Sequence, residues 1–127
     1  MKRILVLFLV ILFILTGCGG MPVESTYQQI TQKEAKDMMD TQEVIVLDVR
    51  EQDEFDAGHI SGALLLPVGS ITKETAAAVI PETDSVVLVY CRSGNRSKTA
   101  SKALTDLGYT NVYEFGGIND WPYDVVS

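Results

Sequence analysis

Apolar positions along the 127-residue chain fall into three kinds of run. The first is unbroken, twelve apolar residues from Ile4 to Leu15 behind Lys2 and Arg3. No polar position gives it a second face, and it is shorter than the roughly 20 residues that span a bilayer. The second kind is short and rich in β-branched residues: Val44 to Val49 (VIVLDV), Ala63 to Leu66 closed by Pro67, Val86 to Tyr90 (VVLVY) and Val112 to Phe115. Continuous runs of this length predict strands buried on both faces of a parallel sheet. The third kind has helical spacing. Thr31 and Glu34 make a capping box ahead of a helix whose apolar face is Ala35, Met38 and Met39. An acidic helix over about 51–57 is stopped by Gly58, and an Ala-rich one over 71–80 is ended by Pro81. Ala100, Ala103, Leu104 and Leu107 stand at i, i+3, i+4 and i+7 before Gly108. Strands alternating with helices predict an α/β fold, a mostly parallel sheet with helices on both faces. The chain has no internal repeat and no low-complexity segment.

The unbroken run concerns address rather than fold. A charged start and a twelve-residue apolar stretch match a secretory signal, and the run ends in Leu15-Thr16-Gly17-Cys18. That ending resembles the bacterial lipobox, in which a cysteine after a small residue is lipidated and becomes the new N-terminus. Residues 1–17 are therefore expected to be a lipoprotein signal peptide. Cys18 is expected to carry the lipid anchor outside the cytoplasm, since two acyl chains suffice for stable attachment. Residues 18–26 continue as GGMPVEST after the cysteine and read as a tether, which leaves 27–127 as one domain. Two domains do not fit in that length. Without the first 17 residues, 8 basic side chains face 17 acidic ones, a net charge of −9. Such a surplus argues against a nucleic-acid binder, and the grouped apolar runs argue against disorder.

Only two cysteines exist, Cys18 and Cys91. If the first is lipidated, the second has no partner within the chain, and a disulfide framework is excluded. Cys91 closes the most strand-like run and is followed by Arg92-Ser93-Gly94-Asn95-Arg96-Ser97 and then a helix. In open α/β sheets ligands bind at the carboxyl ends of strands. A loop there, with Gly94 and Asn95 able to take unusual backbone angles, can turn successive N–H groups inward as an anion cradle. The helix terminus and nearby arginines would favour the thiolate, the reactive form. Arg92, Arg96, Lys98 and Lys102 lie between Ser85 and Leu104 with no acidic residue among them. An anionic substrate is expected despite the overall negative field. The competing readings are an inert buried thiol for Cys91 and solvated surface charge for Arg92 and Arg96. Lys98 and Lys102, at i and i+4, read as a solvated helix face.

These residues carry a family resemblance. From about Tyr27 onward the chain resembles a single-domain rhodanese, through Asp48-Val49-Arg50, Glu51-x-x-Glu54-Phe55-x-x-Gly58-His59-Ile60-x-Gly62-Ala63, Pro67, the stretch Tyr90 to Ser97, Gly108-Tyr109 and Gly116-Gly117-Ile118-x-x-Trp121-Pro122. The resemblance implies a roughly five-stranded, mostly parallel sheet between helices. It implies that Cys91 takes sulfane sulfur from thiosulfate or a persulfide donor, carries it as a persulfide, and yields it to a thiol or other thiophilic acceptor. Residues 92 to 97 would hold the persulfide, the arginines would orient the donor, and no metal or organic cofactor is required. Cysteine-dependent phosphatases of this fold use Cys-x5-Arg, whereas here the arginine comes one position earlier, at Arg96, and Ser97 follows. The shorter loop suits a sulfur atom better than a phosphate. Asp48 and Arg50 can either pair with each other or approach the substrate. His59, the sole histidine, is expected to hydrogen-bond locally beside Gly58, and Trp121 to plug the core over the sheet edge. A non-catalytic module for sulfur carriage or partner binding is the alternative. Thiol redox signalling is weakened by the lack of a resolving cysteine.

Overall fold

The computed structural model describes residues 26–127. The expected signal peptide, Cys18 and the expected tether up to residue 25 lie outside the described residues. The chain runs through β1 (Gln28–Gln29), α1 (Gln32–Thr41), β2 (Ile45–Asp48), α2 (Gln52–Ala57), β3 (His59–Ile60) and β4 (Leu64–Leu65). A 3-10 turn over Val68–Ser70 leads to α3 (Lys73–Val79), followed by β5 (Val86–Cys91), α4 (Asn95–Asp106) and β6 (Asn111–Gly117). A second 3-10 turn, Ile118–Asp120, precedes β7 (Val125–Val126).

Five strands form one sheet in the order β1-β6-β5-β2-β4, with every neighbouring pair parallel. The α/β class and the five-stranded sheet are as expected. The most apolar strand, β5, takes the central place because both of its faces are covered. Val87, Val89 and Cys91 join Leu47, Val49 and Val112 in one core cluster, packed with Ala76 of α3 and Ala100 and Leu104 of α4. Leu88 and Tyr90 point the other way, into a cluster with Ala35 of α1, Val46, Phe115 and Trp121. Strand alternation thus decides the position of the thiol, because Cys91 leaves the sheet on the face that α4 covers.

The remaining differences lie at the edges. The stretch Ala63 to Leu66, expected as a buried strand, lies at one edge of the sheet: Leu64 and Leu65 pair with β2, the Leu66 N–H donates to the Asp48 carbonyl at 2.9 Å, and Ala63 and Leu66 are buried while Leu64 is 44% exposed. α3 begins at Lys73 rather than 71, because the Thr72 hydroxyl accepts the Thr75 N–H as its cap. At the other edge β1 consists of two exposed glutamines, which no apolar pattern announces. β3 and β7 form a small antiparallel pair, His59 opposite Val126, between segments far apart in sequence. His59 bonds locally, with Nδ1 2.9 Å from the Phe55 carbonyl and its ring stacked on Phe55. Trp121 is buried, 5.5 Å from the Phe115 ring, and its indole N–H donates to the Asp124 carbonyl.

Candidate active site

Cys91 is the last residue of β5 and is 1% exposed. The turn after it is tighter than a six-residue loop. Only Arg92, Ser93 and Gly94 separate strand from helix, and Asn95, Arg96 and Ser97 form the first turn of α4. Gly94 caps the helix at φ 108°, a left-handed conformation that disfavours a side chain. Its N–H thereby points at Cys91 Sγ, 3.0 Å away. Asn95, expected to share the unusual backbone, is helical instead, and among the described residues positive φ occurs only at glycines. The turn is fixed from outside by β6. A side chain on Gly117 would run into the backbone of Arg92, whose carbonyl accepts the Asn119 N–H at 3.2 Å. Close approach is thus one reason for Gly117, and the positive φ of 92° is one for Gly116.

Opposing effects act on the thiol. Burial pushes its pKa up, while the Ser97 hydroxyl at 3.4 Å and the N–H groups of Ser97, Gly94 and Ser93 push it down. The net direction is down from the ordinary cysteine value. The twelve-residue α4 begins at the sulfur with no acidic residue in its first turn, so its dipole favours the anion as well.

The arginines are placed differently from one another. Arg92 is exposed beside the turn. Arg96 turns to α2 and grips Glu54 with both arms, Nη1 to Oε1 at 2.6 Å and Nη2 to Oε2 at 2.9 Å. This pairing holds the Glu54 carboxyl down at about 2; partial burial opposes it and the Glu51 N–H assists it. Lys102 pairs with Asp106, and Lys98 is exposed. The basic cluster of the sequence is therefore partly neutralised, by Glu54 of α2 and by Asp106 of α4 itself. Asp48 and Arg50 take the ion-pair alternative: both are buried, with Nη2 to Oδ2 at 2.7 Å. Arg50 also donates to the Gly58 carbonyl at 2.6 Å, and the Tyr90 hydroxyl donates to Asp48 at 2.6 Å. These bonds lie on the face opposite that of Cys91, where they fix β2 to α2 and β5.

One buried charged residue at the site is not apparent from the sequence pattern. Glu114 of β6 is 3% exposed, and its Oε1 lies 3.0 Å from both the Gly116 N–H nitrogen and Ser97 Oγ. The available signal was a charged residue inside the strand-like run Val112 to Phe115. Among the described residues no group of three or more His, Cys, Asp or Glu converges to hold a metal ion. A shielded thiol with a lowered pKa, inward amides and a helix N-terminus can act as a nucleophile and stabilise an added anionic atom.

Comparison with known proteins agrees with this arrangement. The chain is 35% identical over 74 residues to the thiosulfate sulfurtransferase PspE of Escherichia coli (strain K12), covering 58% of this chain and 70% of that protein. It is 31% identical over 96 residues to the thiosulfate sulfurtransferase GlpE of Coxiella burnetii (strain RSA 331 / Henzerling II), covering 75% and 87%. A solved structure described as a rhodanese with anions from E. coli superimposes with a TM-score of 0.62 at 32% identity, over 67% of this chain and 99% of that one. The family model of the Rhodanese-like domain matches residues 31–123, so the chain belongs to the rhodanese-like family of sulfurtransferases.

Proposed function

We propose that the protein moves sulfane sulfur from thiosulfate or a persulfide donor to a thiol or other thiophilic acceptor, through a persulfide on Cys91. In the first half-reaction the Cys91 thiolate attacks the outer sulfur of thiosulfate. A new S–S bond forms, the donor's S–S bond breaks, and sulfite leaves with the electron pair. The persulfide anion then rests among the N–H groups of the turn and the first turn of α4. In the second half-reaction the acceptor thiolate attacks the outer sulfur, and Cys91 departs as thiolate. Arg92 and Arg96 orient the anionic donor at the mouth of the site. Lipidated Cys18 holds the domain on the membrane, outside the cytoplasm.

The observation that carries this reading is Cys91 Sγ, buried at the start of α4 and 3.0 Å from the Gly94 N–H nitrogen. The names of the thiosulfate sulfurtransferases that resemble the chain support the donor class. Sulfite release from thiosulfate in the presence of a thiol acceptor tests it. Wild type should turn over and Cys91→Ser should not; equal rates for the two would remove Cys91 from the reaction.

A further inference from the structure

The mouth of the site already holds an anion before any substrate arrives. Arg96 meets Glu54 end-on through two bonds, and both side chains remain open to solvent, at 34% and 24% exposure. The carboxylate is anchored on its own side. Its Oε1 also accepts the Glu51 N–H at 3.2 Å, half of the capping box that starts α2. Held down at about 2 by the Arg96 bond, it is an anion throughout the neutral range. The bond to Glu54 raises the Arg96 pKa, burial opposes the rise, and the charges of Cys91 and Glu51 add to it, so the guanidinium lies within electrostatic reach of the sulfur. Arg96 is thus shared between the reacting atom and a fixed carboxylate.

Donors of sulfane sulfur differ in what they present to such a pair. Thiosulfate is a dianion whose oxygens all sit on the sulfur that leaves, so they stay toward the mouth while the outer sulfur enters the turn. To bind them Arg96 must release Glu54, which then stands unpaired beside another anion. An organic persulfide with an uncharged substituent brings no oxyanion to that place, and its pairing partner in the turn is the amide cradle alone. We infer that Glu54 is a specificity-determining residue, which by occupying Arg96 disfavours thiosulfate and favours persulfide donors with an uncharged substituent. It touches neither donor and acts through Arg96.

The persulfide reaction needs no Arg96. The Cys91 thiolate attacks the outer, protonated sulfur; a new S–S bond forms, the donor's S–S bond breaks, and the donor thiolate leaves with the electron pair. The proton stays on the transferred sulfur, and no oxidant or reductant is required. Thiosulfate, by contrast, meets only exposed Arg92 as a cation not already held by Glu54.

The inference rests on the Cys91 persulfide of the proposed function, and its test separates the two. Sulfur loading of the full chain is followed on the Cys91 peptide by mass, without acceptor, over a series of concentrations of thiosulfate or of hydroxyethyl persulfide. Glu54→Gln keeps a side chain that can accept the Glu51 N–H. It should lower the half-saturating concentration of thiosulfate about fivefold, the worth of a partly solvated ion pair, and leave the limiting rate within about twofold. The half-saturating concentration of the persulfide should stay within about twofold of wild type. Asp53→Asn removes the same charge from an exposed position of the same helix and should shift neither donor. Arg96→Ala should raise the requirement for thiosulfate and not for the persulfide, which keeps the test open if Glu54→Gln fails to fold. A Glu54→Gln that shifts both donors by one factor, or neither, would overturn the inference, as would an equal shift by Asp53→Asn. Failure of both donors to load wild-type Cys91 would overturn the sulfur-transfer reading itself, and the inference with it.

Discussion

Tyr90 and Cys91 are consecutive residues of β5, so their side chains leave the sheet on opposite faces. Burial and the Asp48 hydrogen bond raise the Tyr90 pKa, which keeps its hydroxyl neutral and donating. That hydroxyl also accepts the Ile60 N–H at 3.0 Å. Tyr90→Phe should therefore destabilise the fold by about 1–3 kcal/mol in urea denaturation, because it leaves Asp48 and Ile60 each short of a partner. The same change should leave the reactivity of Cys91 toward an alkylating agent in place, since the contacts of Cys91 are on the other face. Arg96 and Glu54 make the reciprocal test at the mouth of the site. A donor anion must draw Arg96 away from Glu54, so Glu54→Gln should lower the KM for thiosulfate and Arg96→Ala should raise it. An unchanged KM in Arg96→Ala would assign that arginine to structure. The pair also has a pH signature. Glu54 is held at about 2 against an ordinary 4.5, so its stabilisation is complete above 4.5 and is lost as pH falls toward 2. Glu54→Gln should flatten that acid limb by about 1 kcal/mol, a partly solvated pair being screened by water.

The turn after β5 works only because β6 comes close enough to brace it. Gly117→Ala would push a methyl group into the backbone of Arg92 and tilt the amides that face the sulfur. Small misplacements of reacting groups cost about a hundredfold in rate, so kcat should fall by that order while most of the folded population survives thermal unfolding. A kcat within twofold of wild type would show that the turn tolerates movement. The elements around this turn differ in how far they could be read from sequence. β5, β2 and α4 announce themselves, because a buried strand needs a continuous apolar run and a half-buried helix needs a 3.6-residue period. The two glutamines of β1 and the pairing of β3 with β7 carry no such pattern, since backbone bonding at an edge makes little demand on side chains. The site divides similarly. The place of Cys91 at a strand end, before a glycine-containing turn and a helix, was legible because an apolar β-branched run stops there and a 3.6-residue period begins soon after, while the tightness of the turn and the helical Asn95 were not. The partners that tune it, Glu54 on Arg96 and Glu114 on Ser97, come from other elements 42 and 17 residues away and appear only once the sheet is assembled.

At the scale of the whole molecule, an acidic domain surrounds a small site that favours anions. No helix among the described residues is long and apolar enough to cross a membrane. In the proposed function attachment depends on the lipidated Cys18, so Cys18→Ala should move the protein from the membrane fraction to the soluble one. Persistence of that variant in the membrane fraction would mean that the apolar block from Ile4 to Leu15 is itself retained. The central claim is that Cys91 carries sulfur as a persulfide, and mass spectrometry reads it directly. After reduced protein is incubated with thiosulfate without an acceptor, the Cys91 peptide should be heavier by one sulfur atom, and a thiol acceptor should return it to its starting mass. Cys91→Ser should gain nothing. An unmodified Cys91 in wild type, or a sulfur found elsewhere, would contradict the account.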